Sequence, residues 1–210
     1  MAVVMAFGAG VLISSVAFEL MDEAYKVGGI DAAAPGLLLG AAVFYVADWE
    51  VNRRGGERRK NAGDRQGGSA AAFAIGALLD GVPESAAIGI SLIGGGGVGI
   101  ALVVAVFLSN VPEGLSSAAG MRRAGRSPAY VLGLWGAVML ASTLSALLGY
   151  LFLAGASGNV VAAIQSFAAG AILTMLASTM MPEAYEEGGP VVGVVTTLGF
   201  LLAFVLSRVA

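Results

Sequence analysis

The feature that most constrains this chain is a series of apolar runs, each about 20 residues long, that recurs from one end to the other. At about 1.5 Å of rise per residue, a helical run of that length crosses a hydrocarbon core of about 30 Å. Backbone polar groups find no water in that core, so the runs must be helices or strands of a closed barrel, and continuous apolar character favours helices. We therefore predict an all-α, polytopic membrane helix bundle.

Composition limits the chemistry that such a bundle can carry. The chain is 58% hydrophobic and 12% charged, and it contains neither cysteine nor histidine. Disulfides, thiolate sites and imidazole ligands are therefore excluded, and any metal site must use oxygen ligands, with methionine sulfur as a weak option. The net charge of -3 is too small to indicate a partner.

We expect one transmembrane domain, 1–210, made of seven helices. The predicted helices are 2–24, 33–50, 69–93, 96–120, 128–154, 159–184 and 190–208.

Basic residues predict the orientation of the bundle. Nine of the eleven lie in two connections, the segment 51–67 and the one between the fourth and fifth helices. Two helices separate these connections, so both fall on one side, which the positive-inside rule makes cytoplasmic. We expect a multi-pass protein of the cell membrane with the basic loop 51–67 in the cytoplasm and the C-terminus outside. Because topology explains the arginines, no nucleic-acid partner is expected.

An internal repeat relates the first and sixth helices. Residues 7–29 and 167–189 match at a constant offset of 160, with ten identities in 23 positions and a shared ending Glu-Ala-Tyr-x-x-Gly-Gly. Alternating topology makes these helices antiparallel, so the repeat is inverted, as in many transporters. The partner of the fifth helix would fall before residue 1. One N-terminal helix is thus expected to be absent, through truncation or because another element supplies it.

A second repeat places a Val-Pro-Glu core on each of the two central helices, in 80–85 and 109–114. A carboxylate inside a membrane helix costs about 2.5–3.5 kcal/mol or more, so it is rarely left without a partner or a task. The prolines remove backbone donors and free the carbonyls of Leu79 and Leu108. Together with Asp80, Glu84, Glu113 and Asn110, these oxygens predict a hard-donor cation site. Two alternatives stay open: a kink with protonated glutamates, and a proton relay.

Three further residues are candidates for a gate or a secondary site. Glu23 and Glu183 are repeat mates near helix ends, where a solvated helix end is the competing interpretation. Ser14 could face the pathway, although hydroxyls in membrane helices more often bond a neighbouring backbone or helix.

The two Pro-Glu helices resemble the fourth and fifth helices of the ZIP (Zrt/Irt-like) divalent metal transporters, and the resemblance extends over essentially the whole chain from the family's second helix onward. It implies a 3+2+3 inverted arrangement of eight helices, here without the first, and a metal site between the two central helices. Glu84 and Glu113 match the family's motif glutamates and would be the primary ligands. Asp80 and Gly81 stand where the family usually has His-Asn, and Ser109 and Asn110 where it has His-Glu or another polar pair.

The resemblance implies transport of a divalent metal by alternating access, with no enzymatic activity. Zinc is the first expectation, and iron, manganese or cadmium are the alternatives, because an all-oxygen site discriminates less among them. The expected partners are the metal ion, as substrate, and the lipid bilayer. A homodimer is one option for assembly. The rival functions are an intramembrane hydrolase and a homologue that binds metal without transporting it.

Overall fold

The computed structural model describes residues 2–51, 53, 70–93, 100–123, 125–153 and 155–209. At some of these the description covers the backbone alone: 51, 70–76, 79, 80, 101, 109, 112, 113, 116 and 209. Over the described ranges the chain is helical apart from short turns, and no strand occurs in them. The predicted all-α bundle is confirmed.

Eight α-helices and two π-helical segments make up the described chain. They are α1 (Ala2–Ser15), the first π segment (Val16–Met21), α2 (Asp22–Val51), α3 (Ala70–Ser91), α4 (Ile100–Arg123), α5 (Pro128–Leu153), α6 (Gly158–Met175), the second π segment (Leu176–Met180), α7 (Met181–Gly188) and α8 (Val191–Val209). Helices continue through both π segments, and α2 breaks at Gly29. The described residues therefore form seven continuous helical segments, which we call rods, as predicted.

The predicted connections at 25–32 and 185–189 are wrong, because the helices on their N-terminal sides run further. The chain stays helical up to Gly28 and resumes after a single residue, Gly29, whose φ is 64° and ψ is -173°. In the second repeat Gly189, with φ 63° and ψ -153°, takes the same place. Only glycine adopts this conformation without strain, so Gly29 alone separates two helical segments, and Gly189 with Pro190 separates the matching two.

Helix α4 ends later than residue 120. Arg122 and Arg123 lie in its last turn rather than in a loop, where a positive charge interacts favourably with the negative end of the helix dipole. Arg122 Nη1 also donates a hydrogen bond to the carbonyl of Arg126, 2.7 Å away. Of the predicted basic loop 51–67, all but residues 51 and 53 lie outside the described chain.

Close helix crossings repeat with the same symmetry as the sequence. A Cβ added at Gly10 of α1 would lie 1.9 Å from the carbonyl oxygen of Thr196 in α8. A Cβ added at its repeat mate Gly170 would lie 2.0 Å from the carbonyl oxygen of Leu37 in α2. The backbones approach this closely because glycine has no side chain. Each repeat thus packs its first rod against the second rod of the other, which confirms the repeat at the level of contacts.

Large apolar side chains point away from the bundle. Leu38, Leu132 and Phe152 are 69%, 73% and 77% exposed, an arrangement suited to lipid rather than water. Four described stretches are long and apolar enough to cross a bilayer: Ala2–Glu50, Pro128–Leu153, Gly158–Gly188 and Val191–Arg208. The two Pro-Glu helices pack against different neighbours: α4 packs against α1, and α3 packs against α5 and α6.

Candidate functional site

A buried carboxylate lies at the contact between the two central helices. Glu84 of α3 is 1% exposed, and its Oε2 accepts a hydrogen bond from Asn110 Nδ2 of α4 at 3.0 Å. These residues come from the two Val-Pro-Glu segments and are separated by 26 positions in the sequence. The structure therefore brings together one predicted site residue from each central helix.

The amide of Asn110 is oriented by two hydrogen bonds from the same nitrogen. Besides Glu84, Nδ2 donates to the carbonyl of Val106 one turn earlier, at 2.8 Å. Neither of these two bonds uses Oδ1, and an amide oxygen can accept from a donor or coordinate a cation. Carboxylate and amide oxygens are ligands that divalent cations of the harder type accept.

The other three predicted ligands are placed only by their backbones. Asp80 lies in α3, and Ser109 and Glu113 lie in α4, but their side chains are outside the described part of the chain. Among the side chains that are described, no group of three or more Asp and Glu residues is close enough to hold a metal. The ligand set beyond Glu84 and Asn110 stays a prediction.

A third helix, α5, contacts the Pro-Glu segment of α3. Ser145 Oγ donates a hydrogen bond to the carbonyl of Val82, the residue before Pro83, at 3.0 Å. A Cβ added at Gly81 would lie 3.2 Å from Ser142 Oγ, so the missing side chain of this glycine allows α5 to pack closely against α3. The sequence contained no pattern that linked these serines to the central helices.

Several buried hydroxyls have no hydrogen-bond partner among the described residues. Ser14 and Ser15 of α1 are each 1% exposed, and Ser117 of α4 is 5% exposed. A buried polar atom without a partner is costly, so each is a place where a water or an ion would lower the free energy. The predicted role of Ser14 in a gate is compatible with this burial and stays a prediction.

The first gate candidate, Glu23, is held by a residue that sequence reasoning missed. Gln165 of α6 is 2% exposed, and its Nε2 donates to Glu23 Oε2 at 3.3 Å and to the carbonyl of Glu19 at 3.4 Å. Glu19 lies in the first π segment, and its carboxylate lies near the backbone N–H of Leu102 in the first turn of α4. A lone amide inside an apolar helix was the available signal for Gln165.

The second gate candidate, Glu183, lies in the first turn of α7 and is partly buried. The position that matches Gln165 in the first repeat is Met5, which has no amide. The two repeat-matched glutamates therefore have different surroundings.

No family model matches the chain. A curated protein of Arabidopsis thaliana, named a putative zinc transporter, is 27% identical over 188 residues. The match covers 87% of this chain but 29% of the relative, so the chain spans less than a third of that protein's length. At this level the chain is similar to a protein named as a metal transporter and is, by its fold, a multi-pass membrane helix bundle.

Proposed function

We propose that this chain is a ZIP-like transporter that moves a divalent metal cation across the membrane by alternating access. The observation that carries the proposal is the carboxylate of Glu84, 1% exposed and joined to Asn110 across the two central helices. An ionisable residue at such a place in a membrane protein is expensive and usually marks an ion pathway.

The class of substrate, a divalent metal cation, is inferred from the oxygen ligands of the proposed site. Glu84 and Asn110 offer oxygen ligands, and Asp80, Glu113 and Ser109 are proposed to complete the site from the same two helices. Zinc is the first candidate because the Arabidopsis relative is named a zinc transporter, and iron, manganese and cadmium remain in competition because oxygen ligands discriminate weakly among them. No bond-making chemistry is required.

The mechanism is supported by the symmetric crossings of the two repeats. In transporters built from inverted repeats, the substrate site lies at the repeat interface and access alternates by rocking of one bundle against the other. We propose that α3 and α4 hold the substrate site at this interface, where Asn110 donates a hydrogen bond to Glu84. We propose that the protein lies in the cell membrane, with the basic loop 51–67 in the cytoplasm and the C-terminus outside the cell.

Uptake into proteoliposomes tests the proposal. Zn²⁺, Mn²⁺, Fe²⁺ and Cd²⁺ are supplied separately to vesicles that contain wild type, Glu84→Gln or Glu187→Gln. Glu84→Gln keeps the size of the side chain and an oxygen that Asn110 can bind, but it removes the charge, so uptake should fall at least about tenfold, equivalent to about 1.4 kcal/mol. Glu187 is an exposed acid on α7, and the same change there should leave uptake unaltered.

Unchanged uptake by Glu84→Gln would exclude the assigned site. Calorimetric binding of metal without flux would favour the non-transporting homologue. Metal-independent proton flux that is abolished by Glu84→Gln would favour a proton relay. Hydrolysis of a peptide or lipid substrate that Glu84→Gln abolishes would favour the intramembrane hydrolase.

A further inference from the structure

We infer that Ser145 of α5 is a positioning residue for Glu84, and that α5 and α3 form one rigid pair at the metal site. The inference deepens the proposed transport function and rests on it for its significance. The geometry that supports it lies in contacts between α3 and α5 that involve no metal.

Pro83 makes this part of α3 locally weak. Proline has no backbone N–H, so the carbonyl of Leu79, four residues earlier, loses its partner in the helix, and helices bend readily at such points. Glu84 is the next residue and is 1% exposed, so a small change of direction at Pro83 moves a carboxylate that is surrounded by protein. A contact from another helix at this point therefore limits how far the carboxylate can shift.

Ser145 supplies that contact. Its hydroxyl donates to the carbonyl of Val82 at 3.0 Å, which is the carbonyl of the peptide bond to Pro83. Hydroxyls in membrane helices usually bond their own backbone, as Thr143 does with the carbonyl of Met139 at 2.8 Å. Ser145 instead bonds across the interface to α3, 63 residues away in the sequence.

The helix that carries Ser145 is itself fixed against α3. A Cβ added at Gly89 would lie 2.1 Å from the carbonyl oxygen of Ala146, and one at Gly149 would lie 3.3 Å from the carbonyl oxygen of Ala86. These contacts are reciprocal, with one glycine on each helix, and they hold the two backbones in direct contact. Ser145 is therefore presented to Val82 by a helix whose backbone packs directly against that of α3.

Glu84 is then located from two directions. Asn110 of α4 donates to its carboxylate at 3.0 Å, and Ser145 of α5 anchors its backbone two residues earlier. Loss of the Ser145 contact should leave Glu84 in place on average but less narrowly confined. Metal affinity and discrimination among metals should suffer, because both depend on the separation of the ligands.

The first arm of the test measures geometry without metal. The chain has no cysteine, so Glu84→Cys and Asn110→Cys together provide a defined pair for a short bifunctional methanethiosulfonate reagent. We expect Ser145→Ala to slow cross-linking of this pair about three- to tenfold, the range given by about 0.6–1.4 kcal/mol for an interhelical hydrogen bond in a membrane. Thr143→Ala is the matched control and should not change the rate, and Ser145→Thr should restore it.

The second arm measures metal in the otherwise unmodified protein. Ser145→Ala should raise the apparent KM for uptake about three- to tenfold with little change in maximal rate, and Thr143→Ala should change neither. If the cysteine pair cross-links at the same rate in the Ser145→Ala and Thr143→Ala variants, Ser145 does not position Glu84. If the maximal rate and thermal stability fall together while KM stays constant, its role is structural only. If cross-linking changes as expected but wild type carries no metal, the inference stands and the transport function fails.

Discussion

The substitution Gly10→Ala tests the packing that the inverted repeat creates. The added Cβ would lie 1.9 Å from the carbonyl oxygen of Thr196 and 2.8 Å from the nitrogen of Phe200, both backbone atoms that cannot rotate away. Ordinary Cβ contacts begin at 3.4 Å, so α1 and α8 would have to separate by about 1.5 Å. Overpacking of this kind costs about 1–3 kcal/mol, and a rigid backbone contact places this site at the upper end.

The repeat gives this prediction a second arm and a control. Gly170→Ala places its Cβ 2.0 Å from the carbonyl oxygen of Leu37, so the required separation is nearly the same. The two unfolding free energies should therefore fall by equal amounts, within about 0.5 kcal/mol. Gly133 in α5 has no heavy atom within 4 Å of the added Cβ. Gly133→Ala should be neutral or stabilise by up to about 1 kcal/mol, because alanine is the better helix former.

Titration of purified protein in mixed micelles with SDS, followed by the fluorescence of its two tryptophans, measures these free energies. The tryptophans lie in α2 and α5. A single fluorescence transition in each variant would therefore report the unfolding of the whole bundle. Equal free energies of unfolding for the Gly10→Ala and Gly133→Ala variants would refute the close crossing of α1 and α8. A difference of more than about 0.5 kcal/mol between Gly10→Ala and Gly170→Ala would refute its two-fold symmetry.

Two further predictions use the same titration. Gly29→Ala and Gly189→Ala should each cost about 1–3 kcal/mol through backbone strain alone, since both glycines have positive φ and no atom within 4 Å of an added Cβ. Gly125 also has positive φ and an open Cβ position, in the turn between α4 and α5, so Gly125→Ala should cost a similar amount. Asn110→Ala should cost about 1–3 kcal/mol in metal-free protein, because the buried carboxylate of Glu84 loses a donor. Stability equal to wild type would contradict either prediction.

The sequence was sufficient for features that depend on period, offset and residue chemistry. Seven apolar runs predicted seven rods, and the offset of 160 predicted which glycines would be equivalent. The two Val-Pro-Glu segments predicted a contact between central helices, which the bond from Asn110 to Glu84 provides. These features follow from helix geometry and from the cost of polar groups in lipid, so no tertiary information was needed.

The predicted C-terminal ends of the first and sixth rods are wrong because the polar residues there resemble a loop. Asp22 and Lys26 form an i,i+4 ion pair at 2.6 Å on the outer face of the continuing helix, while Ala24 between them is fully buried. The pattern is that of an amphipathic helix end that leaves the apolar region, not of an unstructured connection. A hydropathy reading that seeks uniformly apolar runs therefore stops too early.

The π segments could not be predicted from residue type. Asp22 N–H bonds the carbonyl of Ala17 and Met181 N–H bonds that of Leu176, each five residues back. In the second repeat Pro182 follows at once and lacks an N–H, which gives a local cause for the irregular turn. In the first repeat the matching residue is Asp22, which has an N–H and bonds the carbonyl of Ala17, so a missing donor is not the cause of the wider turn there.

The polar contacts at the two ends of the bundle are less symmetric than its backbone. Gln165 bonds the carboxylate of Glu23 and the carbonyl of Glu19, whereas the matching positions in the other repeat are Met5, Glu183 and Thr179. In an exchange between two arrangements related by the repeat, contacts made by matched residues contribute equally to both and cancel. The free-energy difference between the arrangements then comes from unmatched contacts. Under the proposed alternating access, the glycine crossings would be common to both arrangements, and the contact of Gln165 with Glu23 would favour one of them.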